Sequence, residues 1–312
     1  MNRRSKVLAF PYLIWMALFV IIPLILIAVF ACTTTITVDA DGNRLSEEEI
    51  ESIEAEYEEE YGDAADEMLE EVFFEKTVFT WDNLLLTSNY MPTLINSIWL
   101  ALIATLICLV LGYPVAYLIS RMNFSKQKIM VMLIMLPMWM NFLLRTYAWM
   151  TILENNGLLN RLLGLIGLGP FQFINTQGAV VLGMVYNYLP FMILPLYSIM
   201  TKIDERTIDA ARDLGAGSSN VFRRIVLPLS VPGITSGITM VFVPAVSTFI
   251  ISKMLGGGRN MLIGDLIDLQ FLGNAYNPHL GSAISLVLMV FILLCMSITN
   301  SMDDEEGGMM PL

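Results

Sequence analysis

Residues 201–230 read TKIDERTIDAARDLGAGSSNVFRRIVLPLS. The stretch lies between two apolar runs, about 178–200 and 231–251, each of a length that crosses a bilayer. It carries five basic residues: Lys202, Arg206, Arg212, Arg223 and Arg224. Its local chemistry is that of two short helices joined at a glycine. Asp204 is suited to N-cap the first, and Gly215 to close it in a left-handed conformation. Ser218 is suited to N-cap a second helix, which Pro228 is expected to end. A helix–turn–helix hung between membrane spans offers a knob for a partner to grip.

Composition agrees with a membrane setting. The 312 residues are 56% hydrophobic and 15% charged, with a mean hydropathy of +0.66. Soluble domains are about one quarter charged. The formal net charge of −12 is a local matter. Residues 39–76 hold seventeen acidic and two basic side chains, and the rest of the chain holds fifteen basic against twelve acidic. The acidity therefore belongs to one insertion and indicates no nucleic-acid partner. Cys32, Cys108 and Cys295 are scattered in or beside apolar runs, giving neither a disulfide framework nor a metal spacing. His279 has no ligand cluster near it in sequence and reads as a loop residue before a span.

Six spans are expected. The first follows the basic start MNRRSK and runs from Val7 to Ala31. A cleaved signal peptide has a shorter apolar core and a small-residue cleavage site; this run exceeds the roughly 20 residues a bilayer requires, so it reads as an uncleaved span within segment 1–31. The others fall at about 93–120, 129–152, 178–200, 231–251 and 280–299. Orientation follows from Lys and Arg in the short loops. Arg3, Arg4 and Lys6, then Arg121, Lys126 and Lys128, then the five of 201–230 all fall on one side. The other side has fewer: Arg44, Lys76, Arg161, Lys253 and Arg259. The rule thus places both termini and the 201–230 loop in the cytoplasm. The tail 300–312 is acidic and lends no support. Prolines 114, 137, 190, 195 and 244 lie inside spans, either as simple kinks or as breaks lining a passage.

The insertion 39–76 is rich in Glu, with Ile50, Ile53, Tyr57 and Tyr61 recurring at helical steps. One exterior helix is expected, or two broken at Gly62. It is either a solvated flap or an antenna for cations and a contact for an external protein.

Catalytic signatures are missing from the sequence. Gly256-Gly257-Gly258-Arg259 lacks the lysine and hydroxyl of a phosphate-cradling loop. No span holds a plausible carboxylate pair, which argues against an ion-driven carrier. A transporter built this way draws its energy from another chain and binds no cofactor itself. Arg145, in NFLLRTYAWM, lies inside the third span, roughly 10 Å from its outer end at about 1.5 Å per residue. It either snorkels or pairs structurally, or it serves the transported solute. Asp265 and Asp268, three residues apart, share one face of a short external helix and suit a cationic solute, or simply solvate a lid. Tyr147, Trp149, Tyr186 and Tyr188 line a passage for an amine, or anchor the interface.

The 201–230 loop also resembles the EAA loop of bacterial ATP-binding-cassette (ABC) importer permeases. The resemblance rests on Asp209-Ala210-Ala211, then Gly215 after three residues, then Ile225-Val226-Leu227-Pro228 after nine. Asp209 replaces the usual Glu. Further stretches, SIWLALIATLICLVLGYPVAYLISR (97–121), NFLLRTYAW (141–149), GMVYNYLPFMILPLYSIMTKID (183–204) and LGGGRNMLIGDLIDLQFL (255–272), resemble the B-type permease of spermidine/putrescine importers. The resemblance covers about 80–312 and leaves out the acidic insertion. It implies an all-α membrane protein of the type I importer permease fold, with the permease domain over 93–299, in the bacterial cytoplasmic membrane. It implies docking of the loop, through Asp209, Ala210, Ala211, Gly215, Ile225, Leu227 and Pro228, into an ATPase dimer that uses ATP. It also implies a second, C-type permease and an external substrate-binding protein. Import of another solute, such as iron or an opine, is the alternative, and a non-transport scaffold a remote one.

Overall fold

The computed structural model describes residues 12, 14–39, 41–62, 69, 72–273 and 275–307. Arg3, Arg4 and Lys6, most of the insertion beyond Gly62, and the side chains of the acidic tail lie outside the described residues. The chain divides into two compact units, Met1–Asn89 with Gln270–Val287, and Tyr90–Leu269 with Leu288–Leu312.

In the first unit, α1 (Ile14–Ala31) is long and apolar enough to cross a membrane. It leads into β1 (Thr33–Val38), which pairs antiparallel with β2 (Phe74–Phe79), Thr33 opposite Phe79 and Val38 opposite Phe74. This ribbon corrects the all-α expectation. Its cause is legible in TTTITV, a run of β-branched side chains whose restricted χ1 favours extended backbone. Between the strands, α2 (Glu47–Tyr61) is the expected acidic helix. Ser46 and Glu49 close a reciprocal capping box at its start, and Gly62, at φ +53, ends it. His279 is not a free loop residue. Nδ1 lies 3.2 Å from the Phe30 carbonyl and Nε2 3.1 Å from the Thr35 hydroxyl, so the ring clasps the ribbon. Donation from Nδ1–H leaves Nε2 to accept from Thr35.

The second unit is helical. The helix α3 (Asp82–Ser120) begins in the first unit and continues into it. Then come α4 (Phe124–Trp139), α5 (Phe142–Leu153), α6 (Leu158–Leu165), α7 (Gln177–Met200), α8 (Glu205–Asp213), α9 (Ser218–Val246), α10 (Ile250–Leu255) and α11 (Ile263–Leu272). The final helix, α12 (Pro278–Gly307), starts in the first unit and ends in the second. Among the described residues, five helices are long and apolar enough to span, or six if the bent pair α4 and α5–α6 is one span.

That pair corrects the continuous third span. The axis turns by 88° at Met140–Asn141. Met140 is extended, and the Asn141 side chain accepts from Leu143 N–H at 2.8 Å, capping a new helix inside the apolar run. A second correction concerns Pro228. The helix starting at Ser218 is capped by Gly217 without a side-chain bond, and it runs on through Pro228 to Val246. A π-turn at Phe222–Val226 has already shifted the hydrogen-bond register just ahead of the proline, whose missing N–H then falls at the second position of a regular α segment, within the first turn. The fifth span also stops at Val246 instead of about 251, and Ile250–Leu255 forms a separate short helix.

The core forms where α7 packs on α3 and α9. Small residues let the backbones approach. A Cβ on Gly112 of α3 would lie 3.1 Å from Met192, and one on Gly233 of α9 would lie 3.2 Å from the Leu196 Cα. In a bilayer such close van der Waals packing carries much of the helix association. A buried hydrogen bond between Tyr113 and Ser230, 2.9 Å, joins α3 to α9.

Candidate functional site

Two places collect the sequence's candidate residues, both within the second unit. The first is the loop 201–230. Asp204 caps α8 as expected, its carboxylate accepting from Arg206 N–H at 2.9 Å. Glu205 in the first turn and Arg212 in the last suit the helix dipole. Gly215 takes φ +83 and ends the helix. Ile203, Ile208, Val221 and Val226 form a small buried core, with Tyr117 of α3, Ala211, Ala216 and Leu229 packed against it. The loop is thus a folded knob packed against α3 and the start of α9. Arg121 ties it further. Its guanidinium lies over the Tyr117 ring, 5.5 Å from the centroid, and 3.9 Å from Glu205.

The motif residues divide between surface and core. Asp209, Ala210, Gly215, Leu227 and Pro228 are exposed, while Ala211 and Ile225 are half-buried, Ala211 packing on the loop's own core. Sequence reasoning missed Leu214, which is 89% exposed beside Gly215 at the tip of the knob. A leucine preceding a left-handed glycine was the available signal.

The second place lies around α11. Leu262 and Ile263 are buried and hold its start in the bundle. Asp265 and Asp268 do share a face, and both line one cavity of about 210 Å³ with Lys253, Gly258, Met261 and Leu269. Asp268 accepts an ion pair from Lys253 at 3.1 Å. Asp265 is only 6% exposed; its Oδ2 accepts from Leu262 N–H at 2.8 Å, while Oδ1 has no hydrogen-bond partner. Burial pushes the Asp265 carboxyl above the usual carboxylate range, against the opposing pulls of the Leu262 N–H, the Ser252 hydroxyl and the Lys253 charge.

Arg145 is on α5, past the bend, and is 8% exposed. Its guanidinium lies 5.8 Å from the Phe142 ring centroid, and Nε and Nη1 are buried without hydrogen-bond partners. Burial corrects the snorkelling alternative. Orphaned buried donors cost about 1–3 kcal/mol. Arg145→Met is therefore expected to leave the melting temperature of the purified complex unchanged or raised while uptake falls; a lowered melting temperature would show a purely structural arginine.

The aromatics do not form one lining. Trp149 and Tyr186 meet edge-on at 5.3 Å, Tyr147 is exposed, and the Tyr188 hydroxyl donates to the Pro244 carbonyl near the end of α9 at 3.3 Å. Asn187, 2% exposed, was missed. Its Nδ2 donates to the Gly183 carbonyl at 2.9 Å, and its Oδ1 has no partner. A lone amide in the apolar run 178–200 was the signal. Among the described residues no His, Cys, Asp and Glu group could hold a metal.

Comparison with known proteins fits this geometry. The family profile described as binding-protein-dependent transport system inner membrane component matches residues 72–304. The chain is 42% identical over 221 residues to the spermidine/putrescine transport system permease protein PotB of Escherichia coli (strain K12), covering 70% of this chain and 80% of that protein. It is 41% identical to the PotB protein of Haemophilus influenzae, covering 66% and 72%. A bacterial ABC transporter involved in the import of the acidic polysaccharide alginate matches the fold, with a TM-score of 0.71 at 15% identity over 97% of this chain and 95% of that one. These are transporter permease subunits and not enzymes. The chain belongs to the family of binding-protein-dependent transport system inner membrane components, and is a membrane-embedded permease subunit of an ABC importer.

Proposed function

We propose that the chain is the B-type permease of an ATP-driven importer of polyamines, spermidine or putrescine. The observation that carries this reading is the 41–42% identity to permeases so named, over most of their length. The small cavity at α11, bordered by Asp265 and Asp268, the latter already paired with the Lys253 ammonium, supports a cationic solute. In this reading six spans cross the bacterial cytoplasmic membrane, both termini and the 201–230 knob face the cytoplasm, and a second, C-type permease completes the pathway. The knob docks in a groove of one ATPase of a dimer, with Asp209, Ala210, Gly215 and Leu214 at the contact. ATP binding closes the ATPases, the knob follows, and the fixed packing of α8 on α3 and α9 rocks the permease from inward-open to outward-open. An external binding protein delivers the solute. The chain itself binds no cofactor.

Arg145 favours a second reading, in which the solute carries a carboxylate, as an opine does; a buried unpaired guanidinium suits such an anion. The test is uptake of labelled spermidine and putrescine in a polyamine-import-deficient bacterium. The host expresses this chain with its neighbouring permease, ATPase and binding protein. ATP-dependent uptake is expected. Its absence in an assembled complex refutes the polyamine reading.

A further inference from the structure

Lys253 and Asp268 stand on different helices, α10 and α11, with the ammonium 3.1 Å from the carboxylate. Their burial is unequal. Asp268 is mostly covered, whereas Lys253 is 64% exposed. A pair of this kind holds weakly, because the lysine loses chain entropy and keeps most of its access to water. The carboxylate therefore pairs with a cation that can leave cheaply. Next to it, Asp265 lines the same cavity with a carboxylate that has one oxygen buried and unpartnered. The Ser252 hydroxyl donates to the Phe249 carbonyl at 2.9 Å and lies near enough to Asp265 to favour its charged form. Asp265 and Asp268 both border this cavity, whose accessible lining is almost wholly apolar, and among the described residues Lys253 is the one ammonium beside them. The volume, about 210 Å³, lies below the roughly 300–1,000 Å³ typical of sites for drug-sized ligands. It fits the aminoalkyl end of a linear amine.

We propose that this cavity is a binding site for the terminal ammonium of the transported amine, and that Lys253 is its built-in competitor. In the state seen here Lys253 occupies Asp268 in place of the solute. An arriving ammonium displaces it, pairs with Asp268 and reaches the free oxygen of Asp265. The exposed Lys253 then swings into water. The exchange replaces one ammonium by another, so little net charge is transferred into the cavity. Competition keeps affinity low, which a permease needs if the solute is to be passed onward. The inference rests on the polyamine reading above.

The test is equilibrium binding of labelled spermidine to the permease–ATPase complex reconstituted in lipid nanodiscs, without the external binding protein. Lys253→Met keeps the methylene stem and removes the charge. It is expected to tighten binding about three- to tenfold. Lys253→Arg, which keeps the charge, is expected to bind as the wild type does, and Lys253→Gln repeats the test should the Met variant fail to assemble. In an Asp268→Asn background the tightening is expected to vanish, because the competitor no longer has its carboxylate. Equal binding by wild type, Lys253→Met and Lys253→Gln overturns the competitor role while leaving the polyamine reading in place. Spermidine uptake by the complex without measurable spermidine binding overturns the site alone. Absence of both binding and uptake overturns the polyamine reading and this inference with it.

Discussion

Gly233→Val is expected to abolish accumulation of the folded permease. A Cβ at Gly233 would lie 3.2 Å from the Leu196 Cα, the Ile199 Cβ and the Ile199 Cγ1. The first two cannot rotate away, since one is backbone and the other is the branch point of the side chain. Valine adds two further methyls to that contact. The only relief is to part α7 from α9, and this uncovers Met192 and Leu196, both fully buried. Overpacking typically costs about 1–3 kcal/mol, and a rigid backbone neighbour puts this case at the upper end or above. Gly237→Ala is the control. Its Cβ would meet the Met192 sulfur at 2.7 Å, in an unbranched side chain that, though fully buried, adjusts at less cost than a backbone neighbour. Yield and melting temperature of the detergent-purified complex measure both. Near-normal values for Gly233→Val would mean that this close approach does not hold the helices together.

Gly215→Asp is expected to cut uptake at least about tenfold while leaving the permease inserted and folded. Gly215 sits at φ +83, and a Cβ there would meet nothing within 4 Å of the chain. The internal cost is only backbone strain, about 1–2 kcal/mol, and it is spread over a loop already fixed by its own core. What changes is the exposed tip beside Leu214, which gains bulk and a negative charge. On the docking reading this tip enters the ATPase groove, so the loss appears as failure to co-purify with the ATPase. Gly215→Asn tolerates the same backbone without the charge and is expected to lose less. Normal uptake by Gly215→Asp would refute the docking assignment.

Much of this molecule was legible without coordinates. The apolar runs had to become spans, since a run of that length satisfies its backbone only within a helix in a bilayer. Asp204 and Gly215 act on their immediate neighbours, and their effects appear where local chemistry puts them. Asp265 and Asp268 share a face because they are three residues apart on one helix. Pro228 shows where such local reasoning fails. A proline stops a helix unless the register ahead of it is already shifted, and a π-turn at Phe222–Val226 supplies that shift.

The sequence by itself determined the membrane class, the position of most spans and the helix–glycine–helix knob, because each depends on residues within a turn or two. Only the tertiary structure decided the rest. The ribbon joins strands about 40 residues apart, Arg145 is buried beyond the 88° bend, and Lys253 meets Asp268 across two helices. Each of these depends on groups distant along the chain arriving together, and packing, not local preference, sets which side chains meet.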